Sequence, residues 1–145
     1  MTTIADIAST DTAAIADFCL RWGTAWNDHD GDAVAALCAD DLVYDEPALG
    51  QTAYGPDSIR QFVNETADQF PDYAFTLTGL YCEVSRRAVL VAWRFSGTLA
   101  GTDTKVEFHG DDRLELREDG LIQEYRCLYD YKSVLDQIQA ASTPA

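Results

Sequence analysis

One acid in this chain sits where an acid is not expected. From Val106 onward the residues alternate. Val106, Phe108, Gly110, Asp112, Leu114 and Leu116 fall on one side, and Glu107, His109, Asp111, Arg113, Glu115 and Arg117 on the other. A strand points successive side chains to opposite faces, so the first set is the buried face of a half-buried strand, and Asp112 belongs to it. A carboxyl buried among Phe108, Leu114 and tryptophan side chains has its charged form disfavoured, so its pKa is expected to rise. Held neutral, Asp112 could donate a hydrogen bond to developing negative charge. It could equally be a satisfied buried polar group, paired with Arg94, Tyr125 or a backbone amide. A bulge at Gly110 would turn Asp111 inward in its place.

The segment "DDLVYDEPALG" reads as a brief strand ended by Pro47, because proline lacks the backbone donor a ladder needs, and a second acid, Glu46, sits at the very end of that strand. Tyr44, Tyr125 and Tyr129 could add hydroxyl donors, and Tyr125 shares the parity of Cys127. Large aromatics such as Trp22, Trp26 and Trp93 serve cores and also line apolar pockets. His29 lies in the turn "NDHDGD" and is expected to be solvated, while His109 alternates outward. With only two histidines no His-rich metal site is expected, and without a glycine-rich phosphate loop or GxSxG no cofactor is expected either. The four cysteines, Cys19, Cys38, Cys82 and Cys127, form no CxxC cluster and read as buried free thiols.

These side chains must be positioned by an ordered run of elements. Thr10 or Asp11 can cap a first helix with Ile15, Phe18, Cys19, Trp22, Ala25 and Trp26 at helical spacing, and Asp32 a short second one through Ala33, Val34, Leu37 and Cys38. Pro56 starts a third, with Ile59, Phe62, Val63, Thr66 and Phe70 on one face. From Asp72 the period becomes that of strands, in four runs at roughly 73–84, 87–98, 104–117 and 121–131. The short links between the runs imply antiparallel neighbours. A helix over 132–141 closes the chain. The expected fold class is α+β: about three N-terminal helices covering one face of a curved antiparallel sheet, in a single domain over 1–145 with its core at about 11–131. Such thin cover leaves room for a pocket.

A chain of 145 residues, 47% hydrophobic, can bury one real core. Its 10 Lys+Arg against 25 Asp+Glu, a net charge of -15, would repel nucleic acid and anionic membranes, so neither is expected as a partner. No apolar run reaches the ~18 residues of a membrane span, and the first residues lack a basic stretch followed by an apolar one. The expectation is a soluble cytoplasmic protein.

Three longer segments, "WGTAWNDHDGDAVAALCADDLVYDEP", "YGPDSIRQFV" and "GDDRLELREDGLIQEYRCLYD", together resemble the SnoaL-like branch of the nuclear transport factor 2-like superfamily, over about residues 15–131. The resemblance implies a cone-shaped α+β barrel with an apolar pocket at its open end, usually in a homodimer. Relatives include polyketide cyclases, ketosteroid isomerases and limonene epoxide hydrolases, so the site must decide function. A ketosteroid isomerase-like site would make Glu46 the base and Asp112 the protonated donor, with Trp22 where that family has a tyrosine. A cyclase-like site would need an aspartate where Cys127 stands. Limonene epoxide hydrolases match Arg94 but have aspartates at the positions of Ser96 and Cys127. The expected function is general acid/base chemistry, such as isomerisation, cyclisation or dehydration, on a small apolar ring compound. Glu46 and Asp112 would be catalytic, with Trp22, Trp26, Tyr44, Arg94, Phe108, Tyr125 and Cys127 binding the substrate. The alternative is a non-catalytic dimeric ligand-binding protein of the same fold.

Overall fold

The computed structural model describes residues 9–142. The elements run α1 (Ser9–Asn27), α2 (Gly31–Ala35), β1 (Cys38–Asp45), β2 (Ala53–Tyr54), α3 (Pro56–Gln69), β3 (Ala74–Glu83), β4 (Ala88–Thr98), β5 (Lys105–Leu116), β6 (Ile122–Leu128) and α4 (Tyr131–Ser142). The strands form one curved, unclosed sheet in the order β2-β1-β6-β5-β4-β3. Neighbours are antiparallel, as short links dictate, except that β1 runs parallel to β6. That pair is joined through everything between them, which is the long connection a parallel ladder requires.

Helix ends differ from expectation in instructive ways. α1 is already helical at Ser9, so Thr10 and Asp11 lie inside it, and what precedes it falls outside the described residues. α2 is capped by Asp30, whose side chain accepts from the Ala33 N–H at 3.0 Å; Asp32 instead pairs with Arg60 at 2.8 Å. The turn before α2 holds several residues of capping type, so spacing alone does not choose among them. His29 is not simply solvated. It adopts φ 57°, stacks on Tyr73 with ring centroids 3.9 Å apart, and donates from its ring to the Tyr73 carbonyl at 2.8 Å. Asn27 clips the same corner, exchanging two hydrogen bonds with the Phe75 backbone.

The core lies between the helices and the concave sheet face, where Phe18, Trp22, Val34, Ile59, Val63 and Phe95 are buried. The β4–β5 register runs unbroken from Thr98↔Lys105 to Ala88↔Glu115, so no bulge interrupts Gly110 and Asp112 is the inward residue, not Asp111. Gly110 faces Trp93 across that ladder. A Cβ there would stand 2.6 Å from the Leu128 carbonyl oxygen and 2.7 Å from the Trp93 ring, so the glycine lets the indole lie flat against the strand. Among the described residues no helix is long and apolar enough to cross a membrane. Cys19, Cys38 and Cys82 are buried free thiols and Cys127 is half-buried.

Candidate active site

Leu42, Tyr44 and Glu46 follow strand parity at the end of β1, so all three turn inward. Pro47 stops the strand and starts a 3-10 turn, Pro47–Leu49, that Glu46 caps: its Oε2 accepts from the Ala48 N–H at 2.8 Å. Its Oε1 accepts from the Tyr129 hydroxyl at 2.5 Å. Glu46 is only 6% exposed. Burial pushes its pKa from 4.5 up to about 7, with the nearby Asp112 charge adding and the two hydrogen bonds opposing.

Asp112 is 5% exposed. The Tyr125 hydroxyl, supplied by the neighbouring β6, donates to its Oδ2 at 2.7 Å, whereas Oδ1 has no partner among the described residues. Burial pushes the Asp112 carboxyl up to about 6, against the pull of the Cys127 thiol, the Tyr125 hydroxyl and the Trp93 indole that face it. Trp93 does not close a hydrogen bond; its N–H, like those of Trp22 and Trp26, is buried and unpartnered among the described residues. Donors gathered on a carboxyl favour its ionised form, and an indole N–H can only donate. Burial thus brings both carboxyls up toward neutral pH, against the donors that reach them. Both carboxyls are raised, Glu46 higher than Asp112. Glu46 is 6% and Asp112 5% exposed, and at each carboxyl burial outweighs the donors that reach it.

Both acids line one cavity of about 350 Å³. Trp22 and Trp26 of α1, Tyr44 of β1 and Phe108 of β5 line it too, as do Tyr125 and Cys127 of β6. The Tyr44 ring packs edge-on against Tyr125 at 5.2 Å, and burial together with the two acids holds its hydroxyl protonated, well above its ordinary pKa. Burial, followed by the Asp112 charge, likewise raises the Cys127 thiol, which stays neutral. No lysine, arginine or histidine among the described residues lines the cavity.

Arg94 is not part of this site. It stands on β4 between inward Trp93 and Phe95, so parity turns it out, where it pairs with Glu107 at 3.0 Å in solvent. Sequence reasoning also missed the wall that α4 provides. Tyr131, Val134, Leu135 and Ile138 border the cavity, and their i, i+3, i+4, i+7 spacing was legible in "YKSVLDQI". α4 is fastened by Gln137, whose side chain accepts from the Glu107 N–H at 3.0 Å and donates to the Glu107 carbonyl at 2.9 Å. The clip takes up the edge of β5 that β6 leaves free, since the β5–β6 pairing stops at Asp111↔Leu128. Among the described residues no group of acidic, histidine or cysteine side chains could hold a metal ion.

Solved structures with the same fold include a protein with a ketosteroid isomerase-like fold from Catenulispora acidiphila, in complex with trimethylamine. It is 23% identical, with a TM-score of 0.75, over 88% of this chain and 94% of that one. TsrD from Streptomyces laurentii is 18% identical, TM-score 0.74, over 88% and 96%. SalBIII, an epoxide hydrolase/cyclase-like enzyme of pyran ring formation in the polyether salinomycin, is 17% identical, TM-score 0.74, over 85% and 95%. At these identities the likeness concerns the fold. No curated protein matches the sequence. The SnoaL-like domain profile matches residues 20–125, most of the chain and both acids. The chain belongs to the SnoaL-like domain family.

Proposed function

We propose that the protein is an enzyme that moves protons on a small, largely apolar ring compound, in an isomerisation, aldol cyclisation or dehydration. The observation that carries this reading is the placement of two buried carboxyls, Glu46 and Asp112, on one largely aromatic cavity, with pKa values of about 7 and about 6. Glu46 is the proton-exchanging group. A pKa of about 7 lets one carboxyl both accept and return a proton at neutral pH. Tyr129 orients it, and the protonated Tyr44 hydroxyl donates to the substrate oxygen that gains charge. Burial keeps a proton on Glu46, and negative charge on Asp112 adds to that effect.

The test is deuterium uptake from heavy water into a panel of enolisable cyclic ketones, followed by proton NMR for the wild type and Glu46→Gln. Exchange that follows a single ionisation near pH 7 and drops at least a hundredfold in the variant supports the reading. No exchange above buffer, or equal exchange in the variant, overturns it in favour of a non-catalytic binding protein.

A further inference from the structure

Several acids elsewhere on this protein are matched with bases. Asp45 pairs with Arg126, Glu107 with Arg94, Glu115 with Arg86 and Asp32 with Arg60. The contrast is sharpest at adjacent residues: Asp45 turns outward to a guanidinium, while Glu46 turns inward to a cavity that no basic side chain among the described residues lines. Three acids line that cavity, Glu46 and Asp112 in its depths and Glu65 at the solvent-exposed edge on α3. Asp112 is 5% exposed, and its Oδ1 has no partner among the described residues. Buried charges in proteins are paired or neutralised, and here the cavity walls supply no pairing cation.

The walls fit that missing charge. Aromatic faces attract cations through the negative face of the ring, most strongly when both are out of water, and tryptophan does so best. All three tryptophans of the sequence line this one cavity, together with Tyr44 and Phe75. The net charge of -15 also draws cations toward the protein. We propose that the cavity takes an organic cation: a small ring compound bearing an alkylated ammonium group, seated among the indoles and paired with Asp112 and Glu46. The proposal rests on the reading above only in placing the ligand in the same cavity, and it needs no turnover. A bound cation favours the ionised form of Glu46, so binding releases a proton and the ligand itself readies Glu46 as a base.

The experiment compares phenyltrimethylammonium with tert-butylbenzene, which has the same shape with carbon in place of the charged nitrogen. Benzenesulfonate serves as the anion. Tryptophan fluorescence reads binding, since every tryptophan borders the site. The cation should bind at least tenfold more tightly than its neutral isostere at pH 8, and the sulfonate not at all. That preference should shrink several-fold by pH 5.5, where Glu46 is protonated, and in Glu46→Gln and Asp112→Asn. The isostere's affinity, measured in each protein and at each pH, is the reference against which the preference is read. Equal or tighter binding of tert-butylbenzene at pH 8, or a preference indifferent to pH, overturns the proposal without any variant having to fold. A cation preference without ketone exchange would sink the catalytic reading alone, and the converse result would sink this one alone.

Discussion

Replacing Glu46 by glutamine should make the protein more stable, by an amount that grows with pH. The folded-state pKa of Glu46 is raised from 4.5 to about 7, so between those values the folded state holds a proton that the unfolded chain has released. Stability therefore falls as pH rises through this window, by ~1.4 kcal/mol for each pH unit crossed, or about 3 kcal/mol in all. Glutamine cannot ionise and escapes that loss. It also keeps the local bonds: its carbonyl can accept from the Ala48 N–H while its amide donates to the Tyr129 oxygen. Urea unfolding of both proteins at a series of pH values from 4.5 to 8, at one protein concentration, isolates the effect. The difference should be near its minimum at pH 4.5 and larger by about 3 kcal/mol at pH 8. The comparison cancels the relief of general acidic self-repulsion that both proteins gain on acidification. A difference that stays flat with pH would mean that Glu46 titrates normally, and the description of the site would fail.

Gly110→Ala should cost about 2 kcal/mol, read as a shift of the urea midpoint, because its methyl group meets a backbone carbonyl and the Trp93 ring that cannot withdraw. Gly23→Ala, inside α1 and no nearer than 3.6 Å to Leu77, should instead gain up to ~1 kcal/mol from helix propensity. Arg94→Ala should change stability by less than ~0.5 kcal/mol and leave the affinity for cavity ligands unaltered, since its ion pair with Glu107 is in solvent. A large loss of binding in that variant would return Arg94 to the site.

Strand parity carries most of what can be read in advance. It places Asp112 and Leu114 inward on β5 and Tyr125 inward on β6, and it turns Arg94 outward when applied there in place of a likeness to another enzyme's arginine. The parallel contact of β1 with β6 is not legible, because strand adjacency across a long connection is set by how the helices cover the sheet. The relative charge state of the two acids is not legible either. It depends on how deeply each carboxyl is buried and then on which donors reach it, and Tyr129 reaches Glu46 from 83 positions away. Capping at α2 is readable only to within its turn, where Asp30 and Asp32 are chemically equivalent and the His29 backbone decides between them.

A carboxyl-carbon NMR titration of Glu46 and Asp112, with Glu46→Gln and Asp112→Asn assigning the two signals, reads the paired buried acids without any substrate. They should titrate near 7 and near 6, far above surface acids, and removing the Asp112 charge should lower the Glu46 midpoint. Two midpoints below about 5 would mean two ordinary carboxylates and would contradict the account of the site.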